Sequence, residues 1–259
     1  MCIAAASDRS PRWTANHLVN AGYSVVALDV EGHGLSAGLR GYVPDFSAVA
    51  SDIVALLVQT RARFPGQAVF LFGESMGGMS ALLAALEVQH TGQKLLSGLV
   101  LQCPLVRFAH PPPFVVRVFA RLIAIVLPTL ALLPSPAGRG GGPKGIAALM
   151  RADKLAYTGR LRIGTAVALD RAATQLRAHM HELKLPFLVQ HGDGDAVVSI
   201  AGSVELATLA GSVDKALMQY AGASHNLLHE ASATLVAVRR DYLAWLDERV
   251  ELSAMSAML

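Results

Sequence analysis

Gly73-Glu74-Ser75-Met76-Gly77 sets a serine between two glycines, where an apolar run over 69–72 meets a helical pattern that begins near Met76. A residue on a sharp strand-to-helix turn is held in strained backbone angles, so small residues are needed two positions before and after it. Gly73 and Gly77 meet that need. The turn lifts the Ser75 hydroxyl above the sheet, and the helix behind it adds a favourable dipole and the Met76 N–H as a donor to a developing oxyanion. The chemistry this suits is nucleophilic catalysis. The plainer reading is a chance GxSxG in a glycine-containing turn.

A serine hydroxyl needs a base, and the base needs an acid to orient it. Two loops after later strands offer both. The run 187–189 leads into Gln190-His191-Gly192-Asp193-Gly194-Asp195, and the run ending at Tyr220 leads into Gly222-Ala223-Ser224-His225-Asn226. The expected triad is Ser75, Asp195 and His225. Asp193 competes as the acid, and His191 and His229 compete as the base. His191 follows a strand directly, where turn support explains it, and His229 lies about one helical turn beyond His225. His17, His90, His110, His179 and His181 read as surface or helix-face residues. No HExxH or CxxC spacing occurs, so no metal and no cofactor are expected. Glu74 could serve glycoside chemistry only with a second placed carboxylate, and none is indicated.

The elements that must carry these residues follow from hydropathy. Runs at 23–28, 68–72, 99–101, 187–189 and 216–220 are almost continuously apolar, as in parallel strands covered on both faces. Between them, 46–64 places Val49, Ile53, Leu56 and Leu57 on one helical face and stops at Pro65-Gly66. Segments 76–90 and 231–250 read the same way. Strand and helix alternate, which predicts a doubly wound α/β sheet.

The 259 residues suffice for one large α/β domain or two small ones, and 53% hydrophobic with 16% charged residues excludes disorder. Cys2 and Cys103 cannot build a disulfide framework, so a reducing compartment is expected. Residues 1–12 lack the pattern of a secretory signal. The longest uncharged stretch, 122–138, contains Pro128, Pro134 and Pro136 and is read as non-spanning. The expected site is therefore the cytoplasm, with contact at a membrane surface.

That contact is argued from an insertion at 104–184, which divides the core into 1–103 and 185–259. The insertion carries 12 Lys or Arg against 3 Asp or Glu, while the remainder carries 10 against 16. A basic segment on an acidic body suggests an anionic partner. Nucleic acid would fit the charge, but Val115, Val116, Phe119, Leu122, Ile123, Ile125, Val126 and Leu127 favour a lipid interface in which Arg117 and Arg121 meet headgroups. No nucleic acid is expected. The plainer alternative is a helix packed on the body with solvated arginines. Gly138-Arg139-Gly140-Gly141-Gly142-Pro143 reads as a connection, since it lacks the flanking strand and helix of a phosphate loop.

Taken together, several segments resemble the monoacylglycerol lipase branch of the α/β-hydrolase superfamily, more closely its plant-type members, which include lysophospholipase-like proteins and caffeoylshikimate esterase. These are Asp29-Val30-Glu31-Gly32-His33-Gly34-Leu35-Ser36 with Gly38, Gly41-Tyr42-Val43-Pro44-Asp45-Phe46, the elbow 72–78, the acid loop 191–195 and the histidine loop 222–228. The resemblance implies Ser75 as nucleophile, His225 as base, and Asp195 as acid because it is the fourth residue of a Gly-x-x-Asp pattern counted from Gly192. It implies an α/β-hydrolase fold, mostly parallel with helices on both faces, and a helical lid over an apolar acyl tunnel that touches the membrane. The N-terminus departs from the family. Aligning Arg12-Trp13 with the family's Arg-aromatic pair puts Ala4-Ala5 at its His-Gly turn and Ala6 at the second oxyanion donor. Met1 to Ala4 then reads as a strand stub, with edge strands missing and an N-terminally truncated chain expected. One lost oxyanion donor costs about 10² to 10³ in turnover, although the Ala6 backbone N–H can still serve. An unpaired sheet edge threatens the fold more.

The expected function is hydrolysis of carboxylic esters of single-chain lipids, monoacylglycerol or lysophospholipid, through an acyl-enzyme. The alternatives are an esterase for small phenolic acyl esters of the caffeoylshikimate type and a non-catalytic lipid-binding descendant. Acyl transfer has no HxxxxD motif to support it.

Overall fold

Successive strand residues face opposite sides of a sheet, and here both sides are apolar. The computed structural model describes residues 2–6, 10–134 and 152–257. Its strands are β1 (Cys2–Ala6), β2 (Val25–Asp29), β3 (Phe70–Glu74), β4 (Gly98–Gln102), β5 (Ala131–Leu133), β6 (Leu161–Arg162), β7 (Phe187–Gly192) and β8 (Lys215–Tyr220). Six of them form one parallel sheet in the order β2-β1-β3-β4-β7-β8, and β5 pairs antiparallel with β6. The helices are α1 (Ser10–Asn20), α2 (Phe46–Arg63), α3 (Met76–Thr91), α4 (Phe114–Val126), α5 (Ile163–His179), α6 (Ile200–Leu209) and α7 (Ser232–Ala257).

The two faces are covered by different helices. Leu71, Leu99, Leu101, Phe187 and Val189 turn to one side, where they meet Ile53 and Leu57 of α2, Met79 and Leu82 of α3, and Leu206 of α6. Phe70, Phe72, Val100 and Leu188 turn to the other, against Leu18 of α1 and Tyr242, Trp245 and Leu246 of α7. Phe72 meets the Tyr242 ring edge-on at 5.6 Å, and Phe70 meets Trp245 at 5.9 Å, a favoured arrangement of aromatic quadrupoles. Asp45 starts α2 by accepting the Ser47 N–H at 2.9 Å.

Two expectations change. The five predicted strands are present, but the supposed stub is a whole strand. β1 lies inside the sheet, paired along its length with β2 on one side and with β3 on the other. Its run Cys2-Ile3-Ala4-Ala5-Ala6 is apolar throughout but only five residues long. Among the described residues β2 forms that edge of the sheet.

The insertion is also less separate than its charge suggests. Ala168, Leu169, Ala172, Ala173 and Leu176 of α5 belong to the same core as α2 and α3. By contrast, α4 has none of its residues buried. Arg117 and Arg121 both pair with Asp170 of α5, at 3.2 and 3.0 Å, while Arg121 stays about half exposed. That clasp turns the opposite stripe outward, with Phe119 61% and Val126 77% exposed. The glycine loop at 138–143 lies outside the described residues. Among them, no helix is long and apolar enough to cross a membrane.

Candidate active site

Ser75 stands between the end of β3 and the start of α3 with φ 53° and ψ −116°, a region that side-chain-bearing residues rarely adopt and that clusters at functional sites. The surroundings enforce it. The Ser75 N–H donates to the Gln102 carbonyl at 2.9 Å, and the Ser75 carbonyl accepts from the Met79 and Leu105 N–H groups at 3.1 and 3.0 Å. A Cβ on Gly73 would lie 2.5 Å from the Gly77 carbonyl oxygen, so the elbow closes only around glycine. Gly78 is needed as well, because a Cβ there would reach Pro104 at 2.9 Å. Met76 opens α3, among the first-turn N–H groups that have no partner within a helix.

The turn aims the hydroxyl at His225, on the loop after β8. The Ser75 Oγ lies 2.8 Å from His225 Nε2, and His225 Nδ1 lies 2.6 Å from Asp195 Oδ2. Facing a carboxylate, Nδ1 carries the ring proton, which leaves Nε2 to accept from the serine. The Asp195 side chain is fully inaccessible, and that of His225 nearly so. The Val197 and Val198 N–H groups donate to Asp195 Oδ1 at 2.7 and 2.9 Å. Burial pushes this carboxyl upward, but hydrogen bonds from His191 and His225, the attraction of His225 and the Val198 N–H outweigh it and hold it well below the usual carboxylate range.

The competing residues go elsewhere. Asp193 is exposed and accepts the Gly222 N–H at 2.6 Å, tying the acid loop to the histidine loop. His229 sits in the short 3₁₀ turn Leu227–His229, where its N–H donates to the Asn226 carbonyl. His191 is buried beside Asp195. Gly192 lets the two loops touch, since a Cβ there would lie 2.2 Å from the Ala223 carbonyl oxygen. Ala6 ends β1 opposite Asp29, one residue past the Ala5–Gly73 pair, which sets its backbone beside the elbow.

The roles of four neighbours escaped the sequence reading. Glu230 accepts the Ser224 N–H at 2.6 Å and steadies the residue before His225. Gln102 and Gln190 join side chains at 2.9 Å beneath the elbow, and Gln190 reaches the Tyr220 hydroxyl at 2.6 Å. Cys103, buried with φ 42°, completes the one group among the described residues that could offer donors to a metal, with Asp195 and His225 within 4.8 Å. Burial raises its thiol well above the ordinary value, which disfavours the thiolate that binds metal. No local pattern marks these residues.

A serine, a neutral imidazole and a buried carboxylate in hydrogen-bonded series at a helix N-terminus can run acyl transfer through a covalent intermediate. Known proteins agree with this fold. Residues 5–232 match the family described as serine aminopeptidase, S33. The caffeoylshikimate esterase of Arabidopsis thaliana is 32% identical over 89% of this chain and 70% of its own. The human monoglyceride lipase is 31% identical over 94% of this chain and 80% of its own. Among solved structures, the Paleococcus ferrophilus monoacylglycerol lipase superposes with a TM-score of 0.81 at 21% identity, over 96% of this chain and 93% of that one. With residues 5–232 matched and the human relative covered to 80% of its length, the chain belongs to this serine aminopeptidase family, within the α/β-hydrolase fold.

Proposed function

We propose that the protein hydrolyses carboxylic esters of single-chain lipids, monoacylglycerol first among them, and that Ser75, His225 and Asp195 carry the reaction. The observation that carries this reading is the unbroken series Ser75 Oγ, His225 Nε2, His225 Nδ1, Asp195 Oδ2, at 2.8 and 2.6 Å. The monoglyceride lipase relative supports the substrate.

Ser75 Oγ bonds to the ester carbonyl carbon while His225 Nε2 takes the hydroxyl proton. The oxyanion is met by the Met76 N–H and, from the end of β1, the Ala6 N–H. His225 then gives its proton to the departing glycerol oxygen, which leaves an acyl-Ser75 ester. Water repeats the cycle: His225 takes one of its protons, the hydroxyl adds to the acyl carbon, and fatty acid leaves as Ser75 regains its proton. Asp195 stays ionised and steadies the imidazolium at each step.

In this reading α4 is the lid and the contact with lipid. Its exposed stripe, including Val115, Phe119 and Val126, enters the boundary of a bilayer whose monoacylglycerol is drawn into the site. The protein then works at a cytoplasmic membrane surface as a peripheral protein. A second reading, an esterase of small phenolic acyl esters, is favoured by the Arabidopsis relative.

The test is turnover of a monoacylglycerol and of 4-nitrophenyl butyrate, with labelling by a fluorophosphonate. Ser75→Ala should lower turnover by roughly 10⁴ to 10⁶ and abolish labelling. Turnover that survives in folded Ser75→Ala would reject the mechanism. A folded wild-type protein that neither labels nor turns over would favour a lipid-binding descendant, and a preference for phenolic esters would favour the second reading.

A further inference from the structure

His191 is the last residue but one of β7 and shares its side of the sheet with Phe187 and Val189 of the core. A polar ring at such a position, with no accessible surface, needs partners for both nitrogens. It has them. Nε2 lies 3.2 Å from Asp195 Oδ2 and 3.3 Å from the Val198 carbonyl oxygen. Both neighbours are acceptors, so Nε2 carries a proton. Nδ1 lies 2.7 Å from Ser203 Oγ, a buried hydroxyl on α6.

Asp195 Oδ2 is therefore shared. It faces His225 Nδ1 at 2.6 Å and His191 Nε2 at 3.2 Å, while Oδ1 is occupied by two backbone N–H groups. We propose that His191 is a positioning residue for the acid of this site, donating a second hydrogen bond to the very oxygen that holds His225 and so limiting how strongly that carboxylate retains the imidazolium. The proposal rests on the Ser75–His225–Asp195 reading above and deepens it.

The physical argument is one of shared charge. A carboxylate oxygen with two donors presents less negative charge to each than an oxygen with one. Without the His191 donor, Asp195 would stabilise protonated His225 more, and the base would stay blocked to higher pH. The other ionisable groups around the pair are Cys103 after β4, Glu74 at the end of β3 and Glu230, which grips the histidine loop through Ser224. Turn support alone would need no imidazole, since an apolar residue would continue the core.

The experiment is the pH profile of kcat/KM on 4-nitrophenyl butyrate for wild type, His191→Leu, His191→Phe and His191→Gln. The acid limb of His191→Leu should move up by roughly half to one pH unit, and the Gln amide should restore the wild-type limb. An unmoved limb in His191→Leu overturns the proposal. So does a limb that moves equally in Leu and Gln, which would mean packing and not the donor. If His191→Leu fails to fold by near-UV circular dichroism, His191→Phe carries the test: it fills the same space with a ring that has no donor and should move the limb in the same direction, and an unmoved limb overturns the proposal. Ser75→Ala in parallel separates the layers. Surviving turnover there sinks the triad reading, while lost turnover with unmoved limbs sinks this inference alone.

Discussion

Asp193 and Asp195 stand two residues apart on one loop, and their hydrogen bonds separate them. Asp193 is exposed and holds a turn through the Gly222 N–H, whereas Asp195 is buried with four donors aimed at its two oxygens. Asp195→Asn should reduce kcat by about 10⁴, because the amide would present its N–H to His225 and favour the wrong tautomer. Asp193→Asn keeps an oxygen for Gly222 and should leave kcat within about threefold, as expected of a surface change. Steady-state kinetics on both variants decide the assignment. In the sequence the two aspartates differ only by the Gly-x-x-Asp count, so the choice rested on family resemblance. The structure separates them by burial and by what lies within hydrogen-bond reach.

At the scale of elements, α4 shows how much a pattern conveys. Its apolar residues at helical spacing announced an amphipathic helix, and the charge of its segment announced an anionic partner. The arginines, however, share the single carboxylate of Asp170, 49 and 53 residues away. The outward stripe is thus the feature left for a membrane. Replacing Phe119 and Val126 together by Gln should cut turnover on monoacylglycerol in vesicles several-fold more than turnover on soluble 4-nitrophenyl butyrate, given about 0.8 kcal/mol per buried methylene. Parallel assays on the two substrates measure that ratio, and equal losses would count against membrane entry. β1 makes the opposite case: five apolar residues with no period of their own become an interior strand because strands on both sides supply partners.

Across the whole molecule, stability is drawn from two cores on either side of one sheet, and the site sits where loops from β3, β7 and β8 converge. Phe70, fully buried on the face covered by α7, lies away from the reacting groups, so Phe70→Ala tests the frame alone. It should cost about 3 to 5 kcal/mol, or roughly 10 °C in Tm for a chain of this size. A thermal melt gives the shift, and turnover of the folded variant at low temperature should remain near wild type.

The sequence by itself determined what is local or ordered along the chain. The elbow is legible because its strain is relieved within five residues, and the α/β alternation is legible because each element declares its own period. The order of serine, acid loop and histidine loop is likewise a property of the chain. Only the tertiary structure decided the meetings between distant residues: Ser75 with His225 across 150 positions, Asp195 with His225 across 30, and Arg117 with Asp170 across 53. The Ser203 hydroxyl behind His191 belongs with these, because it reaches the ring only once α6 packs against β7. Such contacts depend on how helices and loops are laid across the sheet, and a periodicity of two or 3.6 residues carries no record of that.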